Sequence, residues 1–423
     1  MSAPTHASEN VHYLVAHLFR HKAGQVIATL TRIFGIAHLD LAEDVTQEAL
    51  LRALRHWPLR GIPQNPGGWI LQCARNLALD ALRREARLRN KSEEIARQLE
   101  RELQPSAQSS EHALNGDQLG MMFVCCHPEL SQEAQIALIL KTLCGFSVAE
   151  IARAFLSPEA TLAQRLVRAK RRLRELNVSC DLPEPAELQA RLDTVLAALY
   201  LLFNEGYNAH AGEDLIRAEL CAEAARLAQL LTEHAPGNKP KVHALLALML
   251  LQASRLPART NEEGGLLVLA QQDRARWDQS MIQAGHYHLQ LAAQAQELTE
   301  YHLLAGIASC HASAPSFEAT DWKRILGYYD TLVRMNHSPV LALNRAVALA
   351  QVEGPQAGIA ALESIRDLPA MKSYYLMPAT LAELHAQLGN RKQARACYQE
   401  ALALAGTEPE RKFLLRKIAG CEA

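Results

Sequence analysis

FSVAEIARAFLSPEATLAQRLVRAKRRLRE, residues Phe146–Glu175, carries seven Lys or Arg against three Glu, in a chain whose net charge is only −1. Six of those cations lie between Arg165 and Arg174. Ser147 and Glu150 have the spacing of a capping box, in which each side chain bonds the backbone N–H of the other residue. This pattern predicts that a short helix begins at Ser147.

A second helix is predicted directly after a break at Leu156 and Ser157. Ser157 is expected to cap it, with Pro158 as its first residue, where a missing N–H is no loss. Two helices joined by a tight break, the second of them basic, predict a helix-turn-helix. The alternative is a charged, solvated helix face, and the capped two-helix frame makes that interpretation the weaker one.

The outward face of this second helix carries side chains that can bind DNA. A 3.6-residue period places on it four residues able to donate hydrogen bonds to base edges, namely Thr161, Gln164, Arg165 and Arg168. The cations that follow are candidate phosphate contacts, namely Arg171, Arg172 and Arg174.

The composition is that of an all-helical globular protein. Nearly half of the 423 residues are apolar and only 5 % are aromatic. Residues 1–178 carry 22 Lys or Arg and 18 Asp or Glu, whereas the remainder carries 22 and 27, so only the first part is biased toward a polyanion. No signal peptide or membrane span is recognisable, which predicts a cytoplasmic protein with no membrane partner.

The residues that could carry chemistry form no constellation. The nine cysteines lie mostly in apolar helical context and are expected to be free thiols in a reducing compartment. Cys125, Cys126 and His127 lack a second pair at zinc-site spacing, as do Cys310 and His311, so no metal is expected. The sequence also lacks phosphate-loop and hydrolase motifs. It predicts neither an enzyme nor a cofactor.

Two small helical domains and a long helical remainder are expected. The predicted segments are a first domain over 10–90, a linker over 91–115, the helix-turn-helix domain over 116–178 and a C-terminal part over 186–423. In the first domain, DLAEDVTQEALLRALRHW (Asp40–Trp57) is an amphipathic helix that Pro58 is expected to end. A Gly- and Pro-rich loop over Leu59–Gly68 follows, and the next helix is expected from Trp69.

The C-terminal part shows weak self-similarity over 338–406. Gly354 and Gly389 lie in two helix–turn–helix settings 35 residues apart, close to the 34-residue tetratricopeptide period. The small-and-large pattern of that repeat is followed by Gly389, Ala394, Tyr398 and Ala401. For 186–337 the repeat signal is poor, and an irregular helical bundle is the alternative.

Two separate segments resemble a known family. DLAEDVTQEALLRALRHWP and GGWILQCARNLALDALRR resemble region 2 of the extracytoplasmic-function (ECF) sigma factors, and ELSQEAQIALILKTLCGFSVAEIARAFLSPEATLAQRLVRAKRRLRE resembles their region 4. The order of the regions and the linker between them also match. YLLFNEGYNAHAG (Tyr200–Gly212) and TDWKRILGYYDTL (Thr320–Leu332) resemble the tetratricopeptide-like extension of one subgroup. The resemblance implies an alternative sigma factor with a helical-repeat extension.

The resemblance implies two partners, promoter DNA and the RNA polymerase core, the latter through its β′ clamp and β flap. The helix-turn-helix would read the −35 element. Positions matching the clamp-binding helix are Asp44, Gln47, Glu48 and Arg52. Positions matching the part that melts and traps the −10 element are Arg60, Gln64, Asn65, Trp69, Arg75, Asn76, Asp80, Arg83 and Arg84. Polar groups beside a cationic groove are suited to an opened strand. Without the resemblance, the four positions of the clamp-binding helix would be interpreted as solvated surface, and Trp69 as a core residue.

Two positions depart from the family pattern and affect the expected −35 preference. Leu156 stands where the turn often carries Gly, and Ala163 stands where a polar base-reading residue is common. Two other classes of protein remain open, a stand-alone helix-turn-helix regulator and a helical-repeat scaffold without DNA binding. The C-terminal part is expected to pack on the two sigma domains of the same chain and to regulate their activity.

Overall fold

The computed structural model describes residues 22–88, 111–155, 157–180, 185–207, 217–234, 237–261, 265 and 267–422. These residues form α-helices and short 3₁₀ turns, and no β-strand occurs among them, which confirms the all-α prediction. The chain divides into two compact units, Met1–Leu202 and Phe203–Ala423. Some predicted features lie outside the described residues. They are Leu156, most of the predicted linker, and residues 208–216.

The first unit is built from helices joined by short turns. In chain order they are α1 (22–34), a 3₁₀ turn (Ile36–His38), α2 (Leu39–Arg60), α3 (Pro66–Leu88), α4 (Glu111–Cys125), α5 (Gln132–Thr142), α6 (Val148–Ala154), α7 (Glu159–Glu175) and α8 (Pro185–Tyr207), within which the division between the units falls. The core of α2 and α3 consists of Ala49, Ala53, Ile70 and Ala74, all fully buried.

Helix α4 begins at Glu111, inside the segment that was expected to be linker. That segment has few large apolar residues, but polar side chains attach the start of α4 to α1. Gln25 Nε2 donates to Asn115 Oδ1 at 2.9 Å, and Thr29 Oγ1 donates to Asp117 Oδ2 at 2.8 Å. A helix thus begins within the predicted linker, and the predicted domain boundaries stay predictions.

Helix α2 runs through Pro58, so the prediction that Pro58 ends it was wrong. Proline removes one hydrogen bond, which is tolerable in a last turn. Gly61 ends the helix instead, because its φ of 83° turns the chain while its N–H donates to Trp57 O at 3.0 Å. Arg60 consequently lies on the helix and not in the loop. At the far side of the loop, Asn65 Oδ1 accepts the Gly68 N–H at 2.9 Å and caps α3.

The helix-turn-helix forms from α6 and α7. The predicted capping box is confirmed, because Ser147 N donates to a Glu150 carboxylate oxygen at 2.8 Å and Glu150 N donates to Ser147 Oγ at 3.1 Å. The predicted Ser157 cap was wrong. Pro158 is extended, with ψ of 139°, so α7 starts at Glu159. The Ser157 hydroxyl is buried and has no hydrogen-bond partner among the described residues.

The second unit contains paired helices and three 3₁₀ turns. The helices are α9 (Ala218–Thr232), α10 (Pro240–Ala253), α11 (Gln279–Ala292), α12 (Glu300–Ser313), α13 (Trp322–Met335), α14 (Pro339–Glu353), α15 (Pro355–Glu363), α16 (Pro369–Lys372), α17 (Leu376–Gln387), α18 (Arg391–Leu404) and α19 (Glu408–Glu422). The 3₁₀ turns are Leu256–Ala258, Leu269–Gln271 and Arg274–Arg276. α10 is buried on nearly every side and packs against α11 and α12.

The two glycines of the predicted repeat lie at equivalent turns. Gly354 joins α14 to α15 with φ of 96°, and Gly389 joins α17 to α18 with φ of 76°, a backbone region that favours glycine. Ala394, Tyr398 and Ala401 are buried in the core that these helices share. The turns and the buried pattern agree with the helical-hairpin prediction for 338–406.

All nine cysteines lie among the described residues, and none of them forms a disulfide. Among the described residues, no group of three or more His, Cys, Asp or Glu side chains could hold a metal ion. A search of the same residues for helices long and apolar enough to cross a membrane found none.

Candidate nucleic-acid interface

The four predicted base-contacting residues of α7 lie together. Thr161, Gln164 and Arg168 are exposed, whereas Arg165 is about one-quarter exposed because its guanidinium pairs with Glu133 at 2.8 Å. All four line one open cleft of about 400 Å³ between α7 and the start of α5, together with Glu129, Leu130, Ser131, Ala134, Ala169 and Arg172. Opposite this face, Leu162, Leu166 and Leu173 are buried and fix the rotation of α7 about its axis.

The predicted phosphate-contacting arginines are paired with carboxylates. Arg171 bonds Glu175 at 2.8 Å, with 74 % of the arginine side chain exposed. Arg172 bonds Glu129 at 2.9 Å, and this hydrogen bond lowers the pKa of Glu129. Within the part of the chain that the structure describes, Arg168 makes no salt bridge. Exposed pairs of this kind are weak, so a phosphate can replace the carboxylate.

The flank of α7 that faces away from the cleft contacts α2. Lys170 Nζ lies 2.7 Å from Glu43 and 3.0 Å from Asp40, and Arg174 lies 2.7 Å from Asp40. Thr142 Oγ1 also donates to Glu43 at 3.3 Å. Burial opposes the charge of Lys170, but the two carboxylates outweigh it and raise the Lys170 pKa. We refer to Asp40, Glu43, Lys170 and Arg174 as the α2–α7 ion-pair cluster.

Sequence reasoning missed this cluster. It counted Lys170 among the six cations between Arg165 and Arg174 without separating it from the others. A signal was nevertheless present, since Lys170 lies nine residues after Thr161, half a helical turn away from the outward face. Its partners, in contrast, are more than 120 residues distant in sequence, and no local pattern identifies them.

On α3, part of the set predicted to hold the opened strand shares one face. Trp69, Asn76, Asp80 and Arg83 follow the helical period, with Asn76 and Asp80 exposed. Gln72 Nε2 donates to Asn76 Oδ1 at 3.0 Å, and Asp80 lies 3.6 Å from Arg83. Trp69 is half-buried, edge-on to the buried Trp57 with ring centroids 5.5 Å apart. Trp69 therefore packs partly into the core beside the loop, which agrees with the interpretation of Trp69 as a core residue.

Other members of that set are placed differently. Gln64 is exposed in the loop, whereas the Asn65 side chain is occupied in capping α3. Arg84 is exposed and donates to Asp80 O at 3.1 Å. Arg75 lies off the Asn76 face, and its Nε is buried without a hydrogen-bond partner among the described residues. The structure thus brings Asn76, Asp80 and Arg83 together but sets Arg75 apart.

The predicted polymerase-binding residues form the solvent side of α2. Asp44 and Gln47 are exposed, and Glu48 is half-buried with its carboxylate 3.0 Å from Arg52. Leu51, which sequence reasoning missed, lies in the middle of this face with 46 % of its surface exposed. The helical period would have found it, since Leu51 is seven residues from Asp44. A leucine at the centre of a polar face is suited to contact with a protein partner.

Comparisons with known proteins agree with this geometry. Residues 18–88 match the family model of sigma-70 region 2, residues 120–173 match that of sigma-70 region 4, and residues 191–293 match a family of unknown function (DUF6596). An uncharacterized protein of Rhizobium meliloti (strain 1021) is 37 % identical over 396 residues, which cover 93 % of this chain and 92 % of that protein.

The fold and the two matched regions define the class of the chain, a sigma-70-type factor of transcription initiation. More narrowly, the chain belongs to the ECF-like sigma factors that carry a helical C-terminal extension after region 4. The resemblance seen in the sequence is thereby confirmed. A role in promoter recognition follows, with RNA polymerase and promoter DNA as partners, and the matched domains are those of a transcription factor.

Proposed function

We propose that this chain binds the RNA polymerase core and directs initiation at promoters whose −35 element α7 reads as duplex and whose −10 element α3 and the preceding loop hold open. The observation that carries the proposal is the single cleft in which Thr161, Gln164, Arg165 and Arg168 meet. Arg can bond guanine through two N–H groups, and Gln can bond adenine through its amide. The cleft thus presents a base-reading set on one rigid helix.

Region 2 has the complementary role in this proposal. The exposed face of α2 with Asp44, Gln47, Glu48 and Leu51 supplies the contact with the β′ clamp, and Asn76 on α3 supplies donor and acceptor groups for a flipped base. Asn76 is suited to this because its only hydrogen bond among the described residues is to the exposed Gln72, which an incoming base can displace.

Promoter binding requires the α2–α7 ion-pair cluster to break. The two promoter elements lie about 25 base pairs apart, roughly 80–85 Å along B-form DNA. Lys170 and Glu43 lie 2.7 Å apart, so regions 2 and 4 cannot keep this contact while α3 and α7 each read their own element. We infer that the structure represents a closed state, and that binding to the core releases region 4 from region 2.

The helix that begins the C-terminal extension supports a regulatory role for that part. Arg191 of α8 is 8 % exposed, and its guanidinium donates to Phe123 O of α4 at 3.1 Å. It also pairs with Glu187 at 2.7 Å. Arg191 bonds a region 4 carbonyl within the first unit, and we propose that the extension acts on region 4 through α8, which continues into the second unit.

Substitution of Asn76 tests the assignment of region 2. Asn76→Ala is expected to retain binding to the core and to impair promoter opening, as measured by permanganate reactivity of thymines in the −10 region. Gln72→Ala is the matched control, because it removes the partner of Asn76 without removing the proposed base contact. Normal thymine reactivity with Asn76→Ala would overturn the assignment.

Binding to the core separates the rival functions. A stand-alone helix-turn-helix regulator would bind its DNA without polymerase, and a repeat scaffold would bind neither partner. The proposal expects stable association with the core and promoter-specific DNA binding only by the resulting holoenzyme. Substituting Leu51 by Asp should weaken association with the core, whereas Leu415→Asp, at another exposed leucine in the second unit, should leave it unchanged.

A further inference from the structure

The second unit contains a cluster of arginines around one buried tryptophan. Trp277 is 3 % exposed and directly follows the 3₁₀ turn Arg274–Arg276. The guanidinium carbon of Arg274 lies 4.6 Å from the centroid of its ring, and that of Arg255 lies 5.4 Å away. His311, in the last turn of α12, accepts a hydrogen bond from Arg274 through its backbone oxygen. We refer to Arg255, Arg274, Trp277 and His311 as the Trp277 cluster.

The two guanidinium groups of this cluster hydrogen-bond only uncharged acceptors among the described residues. Neither Arg255 nor Arg274 makes a salt bridge to any residue that the structure describes. Arg274 bonds the backbone oxygens of His311 and of Ala314, the latter at 2.8 Å, and Arg255 bonds the neutral Gln272 amide at 3.3 Å. These acceptors are dipoles and compensate the charges only in part. The exposed carboxylate of Glu318 also acts on the charge of Arg274, without forming a salt bridge with it.

Three nitrogen atoms of the cluster are also buried without a partner. They are Nη2 of Arg274, Nε1 of Trp277 and Nδ1 of His311, each without a hydrogen bond to any described residue. Buried donors are almost always satisfied in native proteins, because an unmade bond destabilises the fold. Arg274 Nη2 and Trp277 Nε1 are donors, whereas His311 Nδ1 is a donor in only one tautomer of the ring. At least two buried N–H groups of the cluster therefore lack an acceptor among the described residues.

The positive charges of the cluster act on the groups around them. Burial and then the charges of Arg255 and Arg274 lower the pKa of His311 to about 3, so its imidazole is neutral. A third cation, Arg259, is 8 % exposed, with its guanidinium 4.0 Å above the Tyr207 ring. Burial lowers the Arg259 pKa, and the charge of Arg255 adds to this effect.

We propose that the Trp277 cluster binds an anionic oxygen group, a phosphate or a carboxylate, of a small-molecule ligand. Two guanidinium groups offer the forked donors that bind such groups bidentately, and the indole N–H adds a neutral donor. The tryptophan ring holds both guanidinium groups in place before the ligand arrives. The ligand would bind a part of the chain that the DNA-binding regions do not contain.

A purely structural role for the cluster makes a different prediction. If the arginines only cross-link α12 to the turns after α10, their carbonyl and amide partners suffice, and added anions leave the stability of the chain unchanged. If the cluster is a binding site, an anion that fits it stabilises the folded chain in proportion to its occupancy.

Thermal unfolding of the full chain provides the test. The probes are inorganic phosphate and succinate, each compared with sodium chloride at equal ionic strength. A fitting anion at about 100-fold its Kd is expected to raise Tm by roughly 5–10 °C, with saturation. A response to phosphate assigns a phosphate-bearing ligand, and a response to succinate assigns a carboxylate. No response beyond sodium chloride to either anion would overturn the proposal.

Three variants locate the effect. Arg255→Gln and Arg274→Gln are each expected to weaken anion binding at least tenfold, as followed by Tm shift and by tryptophan fluorescence. Arg276→Gln is the matched control, because Arg276 is exposed in the same 3₁₀ turn and its side chain belongs to no pair in the described structure. If Arg274→Gln does not fold, Arg255→Gln decides, since among the described residues the Arg255 side chain hydrogen-bonds only Gln272. Equal loss in the Arg276 control would contradict a site at Trp277.

Discussion

The arginines of α7 and the arginines around Trp277 lie in opposite electrostatic surroundings. On α7, the exposed pairs Arg171–Glu175 and Arg172–Glu129 hold each charge beside a carboxylate. Around Trp277, Arg255 and Arg274 lie against an indole ring, and their hydrogen-bond acceptors are uncharged. Most of the first group is paired and solvated, whereas the second group is partly buried and forms no salt bridge among the described residues.

This difference shows that the density of arginines in a sequence does not measure how available their charges are to bind an anion. The six cations between Arg165 and Arg174 stand out in the sequence, yet most already have a carboxylate partner in the closed chain. Their binding to DNA is an exchange of carboxylates for phosphates, which costs little at the surface. The arginines near Trp277 are scattered in the sequence, but their surroundings favour an incoming anion strongly, because desolvated charges interact more strongly.

The largest effect is expected from removing the ring that organises the second group. Trp277→Ala deletes a nearly fully buried side chain and should lower the free energy of unfolding of the second unit by about 3–5 kcal/mol. Urea denaturation followed by far-UV circular dichroism measures this, with Arg276→Ala as control. A loss below about 1 kcal/mol would show that Trp277 does not organise the cluster.

Breaking the α2–α7 ion-pair cluster should have the next largest effect. Lys170→Met leaves Glu43, which is 9 % exposed, without its cation and should destabilise the closed state by about 1–3 kcal/mol. Hydrogen exchange of the first turns of α2 and small-angle X-ray scattering should report a more open chain. Arg171→Met, on the exposed side of the same helix, should leave both measurements unchanged. An equally compact Lys170→Met chain would contradict the closed-state inference.

Loss of a base-reading arginine should have an effect of similar size, but on DNA binding, and this effect should depend on the DNA sequence. Arg165→Ala and Arg168→Ala should each weaken holoenzyme binding to duplexes carrying the −35 element by about 1–3 kcal/mol and relax selectivity at one position. Competition binding with single-base variants of the element measures this. Unchanged affinity and selectivity in both variants would remove α7 from base reading.

The smallest effect is expected from a phosphate contact. Arg172→Ala should weaken binding to all sequences equally and reduce the slope of log affinity against log salt by about one. The variant also frees Glu129, whose pKa should return toward its ordinary value because Arg172 holds it low. A sequence-dependent loss would instead move Arg172 into the base-reading set.

The elements of both DNA-reading domains could be predicted because their signals are local. The capping box at Ser147 and Glu150 and the apolar stripe of α7 lie within a few residues of each other. The exact helix ends were less predictable. Pro58 was tolerated because it falls in a last turn, and Pro158 displaced Ser157 from the cap because its own ψ is extended. Helix propensities predict the interior of a helix better than they predict the residues at which it begins and ends.

The contacts between elements could not be predicted from the sequence. Lys170 and Glu43 are 127 residues apart, and only the folded chain brings them together. Arg255, Trp277 and His311 lie on separate turns and helices with no shared periodicity, so their grouping depends on tertiary packing. The family resemblance supplied the functional positions of regions 2 and 4, but the Trp277 cluster has no counterpart in any motif that the sequence displays.

Transcription of genomic DNA fragments by purified core polymerase with this chain, followed by sequencing of RNA 5′ ends, tests the central claim most directly. The account predicts a set of start sites that share −35 and −10 elements, that require the added chain, and that are lost together with Arg165→Ala/Arg168→Ala but not with Arg276→Ala. Start sites that are the same without the chain, or that persist unchanged with the double α7 variant, would contradict it.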